Sequence, residues 1–167
     1  LGVLRLLNNP IVKKRNLSKY IKQLLREEKW LSKKKFQNLY LVGGTWRALF
    51  KLHLFQNKHP VHIIHQYSVN YETISSFVEK IASFNKAKLK TVEYISKSRT
   101  PYLPYSSIIL DEIMKVTNPK NIICSISGIR EGSLTKDYFK NIDNSQVFEK
   151  SLEYISKKRG DLGLTYK

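Results

Sequence analysis

Cysteine and acidic residues are scarce in this chain. One cysteine, Cys124, among 167 residues rules out an internal disulfide framework, and no Cys/His cluster has the spacing of a zinc site. No apolar run approaches the ~20 residues of a membrane span. A charged n-region, an apolar h-region and a small-residue cleavage site are also missing at the start, so no secretory signal is read there. These absences set the expectation of a protein of the reducing cytoplasm with no membrane partner. Thirteen acidic residues face 30 basic ones, for a formal net charge of +17. At 41% apolar and 11% aromatic, the chain is too hydrophobic for a disordered basic tail. Its length suits one ordinary domain with a core.

The charge has two readings. A strongly basic surface attracts polyanions such as nucleic acid, polyphosphate or anionic lipid. Alternatively, the abundance of Lys, Asn, Ile, Tyr and Phe reflects AT-rich codons, with no ligand behind it. The charge is uneven: residues 1–38 carry eleven basic and two acidic residues. The chain also opens without Met, on the apolar Leu1-Gly2-Val3-Leu4-Arg5-Leu6, which reads as a piece cut from something longer.

Periodicity gives an α/β pattern. Asn8-Asn9-Pro10 reads as a turn, and Ser18 as the cap of a helix over about 18–30 with Ile21, Leu24 and Leu25 inward. Lys33-Lys34-Lys35 is a solvated connection. Leu39 to Val42 forms a short buried strand, followed by a helix from Thr45 to Gln56. His59-Pro60 breaks that helix, and residues 61–69 are expected to be extended. Amphipathic helix over Tyr71–Phe84 buries Ile74, Phe77, Val78 and Ile81. A helix over Pro104–Val116 starts with Pro in its first turn, where the missing N–H costs nothing, and ends at Asn118-Pro119. Ile122 to Ser127 is a β-branched strand running into Gly128, with a short helix over 131–140 and a weaker one over 146–159.

The most informative local feature is strand–Gly43-Gly44-Thr45–helix. Two glycines admit a close ligand, and the helix start offers free N–H groups and a positive dipole end. Thr45 is placed either to cap that helix or to give its hydroxyl to a phosphate oxygen. No Gly-Lys-Ser/Thr follows, so this is not a Walker loop, and the three-glycine Rossmann spacing is absent. A plain strand-to-helix turn is the competing explanation. Ser127-Gly128-Ile129-Arg130-Glu131-Gly132 is a second strand-to-helix candidate, for which a local ion pair in a tight turn is the simpler role. Arg99 precedes the Pro-stiffened Thr100–Pro104, which would fix a guanidinium fork suited to phosphate oxygens. His62 and His65 point to opposite faces of a strand, against a metal site. Asp111-Glu112 sit mid-helix with one of the two expected in solvent. Cys124 lies in an apolar strand and reads as a core thiol.

Several of these pieces occur together in order: Leu1–Leu6, Leu41-Val42-Gly43-Gly44-Thr45-Trp46-Arg47-Ala48-Leu49, His59 to Tyr67, Arg99 with Leu103-Pro104, Ile109-Leu110, and Ser127–Gly132. Across about residues 1–134 this resembles the exopolyphosphatase / guanosine-pentaphosphate phosphatase family in its shorter bacterial form. The resemblance implies the two-lobed actin-like ATPase (ribonuclease H-like) fold with substrate between the lobes. Residues 1–140 would be a partial C-terminal (second) lobe, truncated at its N-terminus, and 141–167 the start of a helical C-terminal extension. It implies a hydrolase that removes the terminal phosphate of polyphosphate, or the 5′ γ-phosphate of guanosine pentaphosphate, with Mg²⁺ as cofactor.

On that resemblance Gly43, Gly44, Thr45 and Arg99 would contact the phosphate chain. Arg130, Glu131 and Gly132 would belong to a structural motif near the cleft. The catalytic carboxylate and the metal ligands would lie upstream, outside this chain, leaving it inactive alone. A homodimer is compatible with the resemblance, and nucleic acid is disfavoured as a partner. Ser106-Ser107 departs from the expected Gly/Ala pair, and Ser133-Leu134-Thr135 from a more apolar turn. The alternatives are a non-enzymatic basic module binding RNA or another polyanion, and the nucleotide-binding lobe of a related kinase. Because the N-terminal lysines sit on a helix and its exit, most of the charge is assigned to composition and general steering.

Overall fold

The computed structural model describes residues 3–8, 14–32 and 36–138. These fall in two units, Leu1–Ile126 and Ser127–Lys167. The apolar start folds as a short helix, α1 (Val3–Leu7). The next helix, α2 (Lys14–Glu27), begins four residues before Ser18. Ser18 is therefore inside α2 and is not its cap. Its hydroxyl donates to Glu112 Oε1 at 2.7 Å, a partner 94 residues away that satisfies the side chain better than a local backbone N–H. Leu17, Ile21 and Leu25 form the buried stripe of α2, the i, i+4, i+8 pattern of an amphipathic helix. A single turn, α3 (Lys29–Ser32), follows.

The first strand, β1 (Asn38–Val42), runs into α4 (Gly44–Gln56). Residues 61–64 have no regular structure, and the strand foreseen over 61–69 shrinks to β2 (Tyr67–Asn70). Gln66 takes a φ of 60° just before it, which turns the chain so that only the last residues reach the sheet. Next come α5 (Tyr71–Ala82) and α6 (Lys86–Lys90), each capped by an Asn side chain accepting a backbone N–H: Asn70 from Thr73 and Asn85 from Lys88. A 3-10 turn at Thr100–Tyr102 leads into α7 (Leu103–Thr117). That helix stops at Asn118, left-handed at φ 40°, whose N–H donates to Met114 O, with Pro119 beyond it; this is a common helix C-terminus. β3 (Asn121–Ser125) closes the first unit, and α8 (Ile129–Tyr138) belongs to the second. α8 begins two residues earlier than the helix foreseen over 131–140. The helix foreseen over 146–159, Asn9-Pro10 and Lys33–Lys35 lie outside the described residues.

The sheet order is β1-β3-β2. β1 pairs parallel with β3 (Leu41 opposite Cys124), and β2 pairs antiparallel with β3 (Val69 opposite Ile122). Leu41, Val69, Ile122 and Cys124 put one sheet face into a core with Leu49 and Leu52 of α4, Ile74 and Val78 of α5, and Leu110 and Met114 of α7. A second cluster joins Leu17, Ile21 and Leu25 of α2 to Ile109 of α7. α7 thus supplies both cores.

Such burial forces small side chains onto α7. Ser106 and Ser107 are both fully buried. Ser106 returns its hydroxyl to Leu103 O at 2.9 Å, whereas Ser107 Oγ has no hydrogen-bond partner among the described residues. The acidic pair splits, with neither member in open solvent: Asp111 pairs with Lys115, at 15% side-chain exposure, and Glu112 is 3% exposed between α2 and α7. Glu112 Oε2 has Lys22 Nζ at 3.8 Å.

Two stability predictions follow from these groups. Ser107→Ala removes an unsatisfied buried hydroxyl without changing shape and should stabilise the protein by about 1 kcal/mol, read as a higher urea midpoint at unchanged slope. His53 is 3% exposed and shares a 3.1 Å hydrogen bond with Tyr67 Oη, and burial holds its pKa below the ordinary 6.5. The folded state therefore binds fewer protons there than the unfolded chain. That stability is complete above pH 6.5 and is lost as pH falls through the folded pKa. Melting temperature measured at descending pH should drop through this window, and His53→Phe should flatten the drop.

Candidate functional site

Both parallel strands end together, with Val42 and Ser125 as register partners. The crevice beyond strand C-termini is where α/β sheets usually place ligands. After β1 the chain turns through Gly43 at φ 131°, ψ 161°, a conformation that residues with a Cβ avoid. Gly43 is the N-cap of α4 and brings no capping side chain. Arg47 N–H closes the first turn onto Gly43 O at 3.0 Å. Among the described residues the N–H groups of Gly44, Thr45 and Trp46 have no acceptor, as the first donors of a helix start, at the positive end of its dipole. Thr45 is not the cap, because Gly43 holds that position; it is the second helical residue, and among the described residues no hydrogen bond engages its hydroxyl.

Arg99 completes the arrangement. A Cβ added to Gly44 would fall within the Arg99 guanidinium, 2.6 Å from Cζ and 2.7 Å from Nη2. The guanidinium thus lies directly on the missing side chain, beside the open N–H groups. Its backbone is fixed from both sides: Arg99 N–H donates to Ser96 O at 2.8 Å and Arg99 O accepts from Tyr102 N–H at 3.0 Å. Thr100 adds its hydroxyl to Ser96 O at 3.2 Å, and Pro101 and Pro104 restrict φ on the far side. Arg99 is exposed, and among the described residues no carboxylate pairs with it. Residues 55 positions apart, each read separately as a phosphate contact, meet here. A guanidinium fork over a run of backbone N–H groups can hold a phosphoryl oxygen from two sides.

Arg130, Glu131 and Gly132 lie in the second unit, where the other strand-to-helix turn has a different end. Glu131 Oε2 accepts Gly128 N–H at 2.7 Å, and Gly132 N–H donates to Gly128 O at 2.9 Å. The carboxylate reaches back as the acidic half of a capping box and places negative charge at that helix start. Of the two glycine-flanked turns, α8 carries its own carboxylate at the helix start and α4 carries a guanidinium and no capping side chain. Arg130 is exposed, and Gly132 has open space around its Cα.

Arg47 escaped the sequence reading. One turn into α4, its charge acts on Cys124, whose thiol burial pushes up to about 11. Cys124 is fully buried and stays protonated, a core group with no nucleophilic role. The histidines diverge: His59 Nδ1 accepts Val61 N–H, His65 Nδ1 accepts Ile126 N–H, and the His62 ring lies 4.5 Å from that of Phe55.

The profile of the Ppx/GppA phosphatase family matches residues 1–140. The chain belongs to the Ppx/GppA phosphatase family. No curated protein matches the sequence. Among solved structures, the Ppx/GppA family member of Aquifex aeolicus superposes with a TM-score of 0.63 at 20% identity, over 86% of this chain and 48% of its own. An exopolyphosphatase of Cytophaga hutchinsonii superposes with a TM-score of 0.63 at 12% identity, over 74% of this chain and 40% of its own. The shared fold is the mixed α/β actin-like ATPase fold. This Ppx/GppA chain spans less than half the length of those structures.

Magnesium, which the family implies, does not fit the residues gathered here. Mg²⁺ takes carboxylate, phosphate and water oxygens, and the α4 start offers N–H donors and a guanidinium, all of which repel a cation. Among the described residues no three His, Cys, Asp or Glu side chains come together as a metal site. The donor set is one for an anion.

The two glycines should respond differently to substitution. Gly43→Ala should cost about 1–3 kcal/mol, because the backbone there is strained for any side chain. Gly44→Ala should leave the melting temperature at or above the parent value, yet push the mobile end of Arg99 aside and weaken tripolyphosphate binding about tenfold. Thermal melting and calorimetric titration separate these two outcomes.

Proposed function

We propose that this chain forms part of a phosphatase that hydrolyses the terminal phosphoanhydride of inorganic polyphosphate. In this reading residues 1–140 belong to the second of two lobes. Arg99 and the N–H groups of Gly44, Thr45 and Trp46 grip the phosphate chain from that lobe, and Thr45 adds its hydroxyl. The observation that carries the proposal is the Arg99 guanidinium on Gly44 at an uncapped helix start. Fixed donors of this kind act on charge that develops as the phosphoryl group transfers to water, with no reorganisation at the moment of reaction. Water also needs a base within hydrogen-bond reach, and the group around Gly44 has none. The carboxylate that serves as base belongs to the opposite lobe. Polyphosphate is preferred to guanosine pentaphosphate because a chain of net charge +17 steers a long polyanion more strongly than a single nucleotide.

The test uses the full-length protein. Arg99→Ala should lower kcat/KM on polyphosphate about a hundredfold, and Thr45→Val about tenfold through one lost hydrogen bond, both without loss of fold. Residues 1–167 alone should release no phosphate. Wild-type turnover in both variants would remove the site assignment, and turnover by the chain alone would remove the two-lobe argument.

A further inference from the structure

The outer ridge of α2 stands apart from the Gly44–Arg99 site and from both apolar cores. Arg15, Lys19, Lys22 and Arg26 follow one another at spacings of four, three and four residues, so they form one line down the helix, about 16 Å long. All four are exposed, on the side opposite the buried stripe Leu17, Ile21 and Leu25. Each cation therefore neighbours another cation, the arrangement that weakens a helix when nothing offsets it. A solvated helix face ordinarily alternates charge at this spacing. The only acidic residue of α2, Glu27, is at its last position. Lys22 alone has a carboxylate near it, Glu112 Oε2 at 3.8 Å, while remaining 52% exposed. Among the described residues no ion pair joins Arg15, Lys19 or Arg26.

We propose that this ridge is a second binding surface for inorganic polyphosphate, holding a distal stretch of the chain whose terminal phosphate sits at Gly44 and Arg99. The proposal rests on the polyphosphate reading above and adds a place where long chains gain affinity that short ones do not. Four like charges in line match a linear polymer of like charge, which they bind with release of its counterions. The intervening ridge residues Asn16 and Gln23 are polar and uncharged. None of these six side chains is aromatic. A surface for single-stranded nucleic acid pairs its cations with rings on which bases stack, and this one offers none. The ring within α2, Tyr20, is half-buried against the cluster beneath the helix, and exposed Trp30 lies beyond the end of α2, hydrogen-bonded to Glu28 at 2.8 Å. Ridge and site share a foundation: Trp46, in the first turn of α4, packs against the cluster that holds the buried stripe of α2. The two surfaces are therefore held on one compact unit, as binding of a single polymer at both requires.

The experiment compares the full-length protein with a variant carrying Arg15→Gln, Lys19→Gln and Arg26→Gln. Affinity for long-chain polyphosphate and for tripolyphosphate is measured over a series of salt concentrations, with a uridine oligoribonucleotide as a third probe. The expected result is at least a tenfold loss for the long chain. Its log–log salt slope should become shallower by about 2, from three lost cations on a single-stranded polyanion. Tripolyphosphate affinity and turnover should stay at the parent values, because none of the three residues belongs to the Gly44–Arg99 site. Equal long-chain affinity and equal slope in parent and variant would overturn the ridge while leaving the phosphatase reading intact. Oligoribonucleotide binding tighter than polyphosphate, and lost in the variant, would overturn the choice of polymer. A parent protein that binds and cleaves no polyphosphate of any length would sink the phosphatase reading and the ridge together.

Discussion

α7 is the element on which the first unit depends. It contributes Leu110 and Met114 to the sheet-side core and Ile109 to the cluster under α2. A helix buried on two faces has little room for bulk, and Ser106 and Ser107 stand fully buried on it. The same packing fixes where its N-terminus begins. The 3-10 turn at Thr100–Tyr102 is continuous with α7, so the helix that joins the two cores also holds Arg99 in place.

The two strand-to-helix turns show how one local pattern is put to opposite electrostatic use. At α8 the glutamate three residues after Gly128 folds back, accepts the Gly128 N–H and places its negative charge at the helix start. At α4 the corresponding residue is Trp46, which has no acceptor to offer, and the helix start carries a cationic neighbour in Arg99. A cation beside the positive end of a helix dipole is unfavourable by itself. It becomes favourable once an anion lies between them. Gly44 permits this arrangement because any side chain there would displace the guanidinium.

Much of the architecture was legible locally. The strand ending at Gly43, the helix behind it, the α5 stripe Ile74, Phe77, Val78 and Ile81 and the proline-led α7 all follow from short-range periodicity and backbone chemistry, and all occur. The errors lie where a distant partner decides. Ser18 has the chemistry of a helix cap, but Glu112 takes its hydroxyl and α2 extends past it. The extended stretch before β2 is irregular over residues 61–64, and the chain first meets β3 through Gln66 N–H, which donates to Cys124 O at 2.8 Å.

By itself the sequence determined the α/β alternation, the family and the identity of the groups able to meet a phosphate, because each depends on residue type and short spacing. Only the tertiary structure decided that Arg99 belongs with Gly44 and that Ser18 of α2 meets Glu112 of α7. Those facts depend on which surfaces α7 and the sheet bring together. Hydrophobic burial sets that geometry for the whole chain, and no local pattern of residues encodes it.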